Sequence, residues 1–461
     1  MLSLGLALAA LCGASGCGES SPSRIAARVL EKYRKASGAK PLPASGMIRI
    51  RLSAPREGPL ASGLAEVLWE PRRYRETVSS AGLTSSRGIE SGTAYFTDQD
   101  GVTRVASDQV LRELTTRSYF WRRAWLFEQR ERAWLNLARA DDATASLSLT
   151  PEGGNPLLLT FSRGDGRLLS ARSPRFQLEF STPNSFRDLS DPRAPVNGQI
   201  AWVGLPTGPL PQAYAGGGRA RFGSGRDGAA FERRSGALLV PAVVSGQTVS
   251  LAIDAAADGP LVVSPGLASR LNLVFAPDVF GRSVASGASL AIGGAVYPAL
   301  WVQQSAAIPP GADAVAGGCL FREAIVEFDA EAGQLRLHDP SGWAPPEGYF
   351  RIVIDDDDDR PVAILNRGKR ELRLTAGSDT GEASLVLAAA SAERAGLADA
   401  TEATGFTWGL IHLPAMPIAI ARGGFFPDWG DDGKLGFSVL LQFHAFVNMP
   451  QRWIYVKPVE P

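Results

Sequence analysis

The chain has 461 residues, of which 50 are Gly and 32 are Pro, and only 20% are charged. This composition excludes a disordered chain or a coiled coil and points to a loop-rich, β-rich protein with room for about three domains. Lys plus Arg and Asp plus Glu both number 47, so the formal net charge is zero and nothing marks nucleic acid as a partner.

Residues 1–16 carry no charge, are rich in Leu and Ala, and have the length of a signal-peptide apolar segment, too short to span a bilayer. The segment ends in Ala14-Ser15-Gly16-Cys17, which resembles a bacterial lipobox. That resemblance implies cleavage before Cys17, acylation of its sulfur, a tether over residues 17–24, and a lipid-anchored protein of the cell envelope. Gly18 favours the outer membrane if the cell is diderm. No Lys or Arg precedes Arg24, so the usual basic start is missing and plain secretion or a periplasmic location stays open. With Cys12 in the leader and the Cys17 sulfur acylated, Cys319 is left as the one free cysteine, in an apolar run, so no intrachain disulfide can form and a buried structural thiol is expected. His338, His412 and His444 are scattered with no companion at metal-ligand spacing, and neither a metal nor another cofactor is expected.

Ile25 to Lys35 has apolar residues at helical spacing with a basic opposite face. Short alternating segments follow between Met47 and Pro195, among them M-I-R-I-R-L, L-A-E-V-L-W-E and A-S-L-S-L-T, separated by turns such as Asp98 to Gly101 and Arg163 to Gly166. This is the pattern of a meandering antiparallel sheet. The Trp- and Arg-rich stretch Arg117 to Arg139 is expected to form a helix packed on it. In this order of elements, residues 25–203 resemble the lipoprotein carrier and sorting fold, a curved sheet with covering helices. The resemblance implies either a pocket for acyl chains or a plain spacer and docking module.

Residues 204–230, with A-G-G-G and G-S-G, have the composition of a linker. Two similar units follow, over residues 231–343 and 349–461. The first contains L-A-I-D ending at Asp254 and the second A-G-S-D ending at Asp379, about 125 residues later. Each Asp is followed by an apolar run and a short helical segment. Each unit closes with a small-residue turn and a last pair of strands, Ala316-Gly317-Gly318 in the first and Gly433-Lys434-Leu435-Gly436 in the second. The acidic run Asp355 to Asp359 between I-V-I and V-A-I-L is expected to be a solvated hairpin turn, with calcium binding as the alternative.

One aspartate per repeat suggests two lobes that bring two carboxylates together, and residues 231–461 resemble a retropepsin-like or pepsin-like aspartic protease with fused lobes. The fold class expected for the whole chain is therefore mainly β, a curved antiparallel sheet with helices followed by a pair of β-barrel lobes. The resemblance implies a catalytic pair of Asp254 and Asp379, with Thr380 supplying a hydroxyl that grips the other lobe and Gly381 allowing close backbone approach. Two carboxylates about 3 Å apart share one proton, so that one activates water while the other polarises the scissile carbonyl. Lobe one departs from this pattern, because Ala255 and Ala256 follow Asp254; Asp258 is a less suitable acid. The chain is accordingly expected to be a monomeric peptidase acting on peptide or protein substrates, or a catalytically inactive relative that binds peptides or lipoproteins through the same junction.

Overall fold

The computed structural model describes residues 22–40, 42–54, 62–126, 132–190, 195–204, 220–223, 228–257, 259–357, 360–421 and 432–459. The leader, Cys12, Cys17 and Asp258 lie outside the described residues, as does the side chain of Cys319. The chain is mainly β, as its composition and alternation require, with a 13-stranded, a 9-stranded and a 14-stranded sheet.

The first sheet is antiparallel throughout. Its first strand, Gly46–Ser53, pairs with both Ser62–Glu70 and the closing strand Val196–Gly204, so the ends of this meander meet in mid-sheet. Two helices pack on it. The helix Pro22–Ser37 buries Ala26, Leu30 and Tyr33 at helical spacing. The second helix is Asp108–Trp121, started by Ser107, whose hydroxyl accepts from the Val110 N–H at 3.3 Å. The sequence expectation placed this helix over Arg117 to Arg139, and the structure corrects it. Ser107 caps it earlier, and from Trp134 the alternation of Leu135 and Leu137 with polar residues has the period of a strand, Trp134–Ala140.

The concave interior is filled by aromatic rings. Phe120 meets Trp121 and Phe176, and Trp125 meets Tyr33 and Phe161, with ring centroids 5.1–6.0 Å apart. A pocket of about 450 Å³ beside Arg122, Arg132 and Glu152 borders this core at Tyr119. Among the charged groups, Glu76 is buried between Arg117 at 2.7 Å and Arg87 at 2.9 Å, and Tyr74 donates to it. The Arg117 guanidinium also lies 4.6 Å from the Phe176 ring centre.

The two lobes share one fold, read directly from strand pairing. In lobe one, Gln247–Ile253 runs parallel to Ala314–Ala316, which is antiparallel to Leu261–Val263, which is parallel to Ala295–Gln304. In lobe two, Arg370–Gly377 runs parallel to Gly433–Gly436, then Leu385–Ala388 and Met416–Ala421 repeat the pattern. Lobe one closes into a ring, because Ser283–Ile292 pairs with both Ala237–Val244 and Ala295–Gln304. The lobes are joined by their last hairpins, Ile325–Asp329 with Gln334–His338 and Phe443–Asn448 with Trp453–Pro458, through Val326↔Val447 and Phe328↔Ala445. Phe321, Phe328 and Phe437 pack beneath that seam in one core common to both lobes.

Part of the expected linker belongs to the lobes: Arg221–Phe222 pairs with Val296 and Ala295, and Ala229–Ala230 with Leu335 and Gln334. In the acidic run, Asp357 pairs with Arg360 across a hairpin, and Asp355 lies 2.7 Å from Arg373. Asp358, Asp359 and the side chains of Asp356 and Asp357 are outside the described residues.

The sheet domain docks through the turn Asp98 to Gly101. Arg322 of lobe one, 3% exposed, lies 2.8 Å from Asp98 and 3.4 Å from Asp100, and Asp100 accepts the Trp301 N–H at 2.6 Å. The Val279 N–H donates to the Ser80 hydroxyl at 3.0 Å.

Burial alone would raise the Glu76 carboxyl, but Arg117 and Arg87 outweigh it and hold it down at about 2. Because the folded value lies below the unfolded 4.5, this carboxylate stabilises the fold fully above that pH, and its contribution is lost as pH falls toward about 2. Glu76→Gln should cost about 3–5 kcal/mol at neutral pH by stranding Arg117, and should flatten the acid limb of stability against pH in denaturant titrations. An unchanged acid limb would show that Glu76 has no such role.

Candidate functional site

The site is built where the two repeated turns meet. Asp254 follows the strand Gln247–Ile253, and its N–H donates to the Ala316 carbonyl at 2.9 Å. Its Oδ1 accepts the N–H groups of Ala256 and of Ser378, each at 3.1 Å, and Lys434 Nζ donates to its Oδ2 at 3.3 Å. Both oxygens of Asp254 are thus engaged, one of them by lobe two.

Asp379 has a different set of partners. Its N–H donates to the Gly236 carbonyl of lobe one at 3.0 Å. Its Oδ1 accepts from the Ser438 N–H at 3.2 Å and hydroxyl at 2.8 Å, and its Oδ2 from Arg233 at 3.1 Å. The Ser438 hydroxyl lies 2.8 Å from that of Ser384. Each aspartate therefore sits beside a cation.

Strand register fixes which residues correspond between the lobes. Ile253 pairs with Ala316 in lobe one, so Asp254 stands level with Gly317. In lobe two, Ala376 pairs with Leu435 and Gly377 with Gly436. The glycines 317 and 436 occupy the same place before the closing helix, each allowing close approach: a Cβ on Gly317 would lie 2.0 Å from the Asp254 carbonyl oxygen, and one on Gly436 1.8 Å from Asp379 Oδ1. The preceding hairpins agree. The pairs Val244↔Gln247 and Arg367↔Arg370 close two-residue turns at equal distances before positions 254 and 377.

The counterpart of Asp254 is therefore Gly377, and Asp379 lies two residues beyond it. The expected alignment of Asp379 with Asp254 matched like residues, whereas the backbone matches positions. Lobe one carries Asp254-Ala255-Ala256 where lobe two carries Gly377-Ser378-Asp379. A Cβ on Gly377 would lie 2.4 Å from Asp254 Oδ1 and 2.5 Å from Lys434 Cε. The Lys434 side chain thus occupies the space facing Asp254.

The cross-lobe hydroxyl expected from Thr380 is supplied by Ser378, whose Oγ donates to the Ile253 carbonyl at 3.1 Å. Thr380 is instead exposed and closes a tight turn, exchanging backbone bonds with Ala383 at 3.1 Å, and Gly381 sits in that turn with φ 63°. The sequence signal for the true register was present in the buried apolar alternation, Val249 and Leu251 in one lobe and Leu372 and Leu374 in the other.

A second cluster lies on the seam between the lobes. His338 and His444, from different lobes, put Nε2 at 2.6 and 2.8 Å from the two oxygens of Glu327, while Arg336 lies 2.9 Å from Glu327 and 3.0 Å from Asp329. The histidines thus do have carboxylate companions, brought by sheet register and hidden by sequence distance. Glu327, Asp329 and His444 are close enough to share a cation, but Arg336 already pairs with both carboxylates. Burial alone would raise the Glu327 carboxyl, yet the two histidines and Arg336 hold it at about 2.

The fold and site together define a mainly β chain with a helix-covered sheet and two lobes that repeat one strand pattern. No protein-family model matches the chain, and no curated protein matches it in sequence. Among solved structures, a domain assigned to outer membrane lipoprotein sorting, from Vibrio parahaemolyticus, is similar at 9% identity over 41% of this chain and 95% of that one, with a TM-score of 0.27. A retropepsin-like aspartic protease from Rickettsia conorii is similar at 13% identity over 24% of this chain and 87% of that one, with a TM-score of 0.19. MucB is similar at 12% identity over 64% of this chain and 98% of that one, with a TM-score of 0.17. These are distant structural likenesses, and the site is argued from its own geometry.

Gly377→Ala should destabilise the chain more than Ser378→Ala. The first drives a methyl into Asp254 and Lys434, typically at about 1–3 kcal/mol, and the second removes one neutral hydrogen bond of about 1 kcal/mol. Urea unfolding midpoints rank the two variants, and the reverse order would contradict the close packing at Gly377.

Proposed function

We propose that this protein is a lipid-anchored, cell-envelope binding protein that holds an extended peptide at its lobe junction without cleaving it. The observation that carries this reading is the pairing of Asp254 with Lys434 in the space facing Gly377. An aspartic peptidase requires two carboxylates sharing a proton, so that one form can take a proton from water while the other donates to the carbonyl oxygen. Here an ammonium stands in place of the second carboxylate. Asp379 is turned to Ser438 of its own lobe and to Arg233 of lobe one, so both of its oxygens are engaged and one of them bridges the lobes. Asp254, Lys434 and Arg233 keep part of their side chains in contact with solvent, at 18%, 18% and 55% exposure, so a ligand can reach them. The filled aromatic interior of the sheet domain favours a spacer and docking role there over carriage of acyl chains.

The test combines turnover with binding. Purified protein incubated with a mixed peptide pool between about pH 3 and pH 8 should show no new termini by mass spectrometry, the range in which a shared-proton pair would work. Binding of a retained peptide, followed by fluorescence anisotropy, should weaken severalfold in Lys434→Ala. Acid-stimulated cleavage abolished by both Asp254→Asn and Asp379→Asn would overturn this reading and restore the peptidase.

A further inference from the structure

The chain has zero net charge, yet its positive charge is unevenly placed. Residues 22–40 hold Arg24, Arg28, Lys32, Arg34, Lys35 and Lys40 against the single acid Glu31, a formal charge of +5. In the helix Pro22–Ser37 the apolar side is buried, while Arg24, Arg28, Arg34 and Lys35 are exposed. Lys32 is fixed to the sheet, donating to the carbonyls of Arg163 and of Gly164, the latter at 2.7 Å. The orientation of the helix is therefore set by bonds as well as by packing.

This helix lies along the edge strand Trp134–Ala140. That strand presents Trp134 at 75% exposure, and Arg132 and Arg139 flank it with side chains 85% and 79% exposed. The neighbouring acids are Asp141, Asp142 and Glu152 beside the edge strand and Asp165 in the hairpin with Arg163 and Arg167. Counting all of these, ten cations face five acids, and the surface remains at +5. Leu135 and Leu137 pack with Val29 on the core that the helix covers, so Trp134 points to the opposite face of the sheet, and the exposed cations of the helix themselves form the surface that can meet the phosphates of an anionic bilayer.

We infer that the outer side of the helix Pro22–Ser37 lies against an anionic membrane surface. The proposal rests on the lipoprotein reading for its occupant. Cys17 precedes Pro22 by five residues, which at full extension span no more than roughly 17 Å. Acyl chains at Cys17 would therefore hold the start of this helix close to the headgroups.

The experiment uses the chain lacking residues 1–17, which retains every described residue and has no acyl group. It is sedimented with vesicles of phosphatidylethanolamine and phosphatidylglycerol, or with vesicles of phosphatidylcholine alone. Partitioning should favour the anionic vesicles by about tenfold or more, and should collapse in about 1 M salt, where the Debye length is only about 3 Å. Arg24→Glu with Arg28→Glu should remove most of that preference, whereas Trp134→Ala, on the other face of the sheet, should leave it unchanged, with circular dichroism and thermal unfolding unchanged in both. Equal partitioning into the two vesicle types, an unaltered preference in the charge-reversed variant, or self-association of the chain in place of vesicle binding would each overturn the proposal. Acylation is measured separately, by the mass of the N-terminal peptide of the full chain isolated from membranes. A free Cys17 alongside intact vesicle binding would sink the lipoprotein reading while leaving the surface assignment standing.

Discussion

The pairing of Ile325–Asp329 with Phe443–Asn448 is the constraint on which the two-lobed half of this chain depends. An antiparallel pair is its own image under a twofold rotation, so two copies of one fold can be joined through the same strand of each. Once Val326 faces Val447 and Phe328 faces Ala445, the flanking strands follow symmetrically: Gln334–His338 and Ala229–Ala230 on one side, Trp453–Pro458 and Phe350–Asp357 on the other. The same seam puts His338 and His444, one from each lobe, on the single carboxylate of Glu327.

Symmetry of backbone does not extend to chemistry. At the first position of the repeated triplet one lobe has a carboxylate and the other has no side chain; at the second, one has a methyl and the other a hydroxyl. The hydroxyl of Ser378 still bridges to the opposite lobe, so the part of the arrangement that holds the lobes together is kept on one side only. Opposite Asp254, the space that a second side chain would fill contains Lys434, whose counterpart in lobe one is the buried Val315. A charge pair thus stands where two like charges would have competed for one proton.

Much of this was legible in the sequence. Alternation gave the strands of the first sheet, and the repeat gave the existence of two lobes, because both signals come from periods of side-chain burial that the backbone enforces. The helix near residue 117 begins and ends earlier than its Trp and Arg content suggests, because Ser107 caps it and a two-residue alternation takes over from Trp134. The site was harder to place, since identical aspartates invite alignment although register is set by the turns and by glycine contacts many residues away. Docking of the sheet domain was hidden altogether. The turn Asp98 to Gly101 has the residues of an ordinary hairpin connection, and only the fold shows that its two carboxylates meet Arg322.

That buried contact has a mechanical consequence. Lobe one is bound to the sheet domain through Arg322, the Trp301 and Val279 amides and the carboxylates of the turn, all away from the repeated triplet. Lobe two reaches the same domain through the Arg373 guanidinium, 3.2 Å from the Gln109 side chain. Pulling Arg322 away from Asp98 and Asp100 would strand a charge at a site 3% exposed, which is costly, so lobe one and the sheet domain are held as a single block. The basic helix belongs to that block, so its orientation is tied to the lobe that carries Asp254.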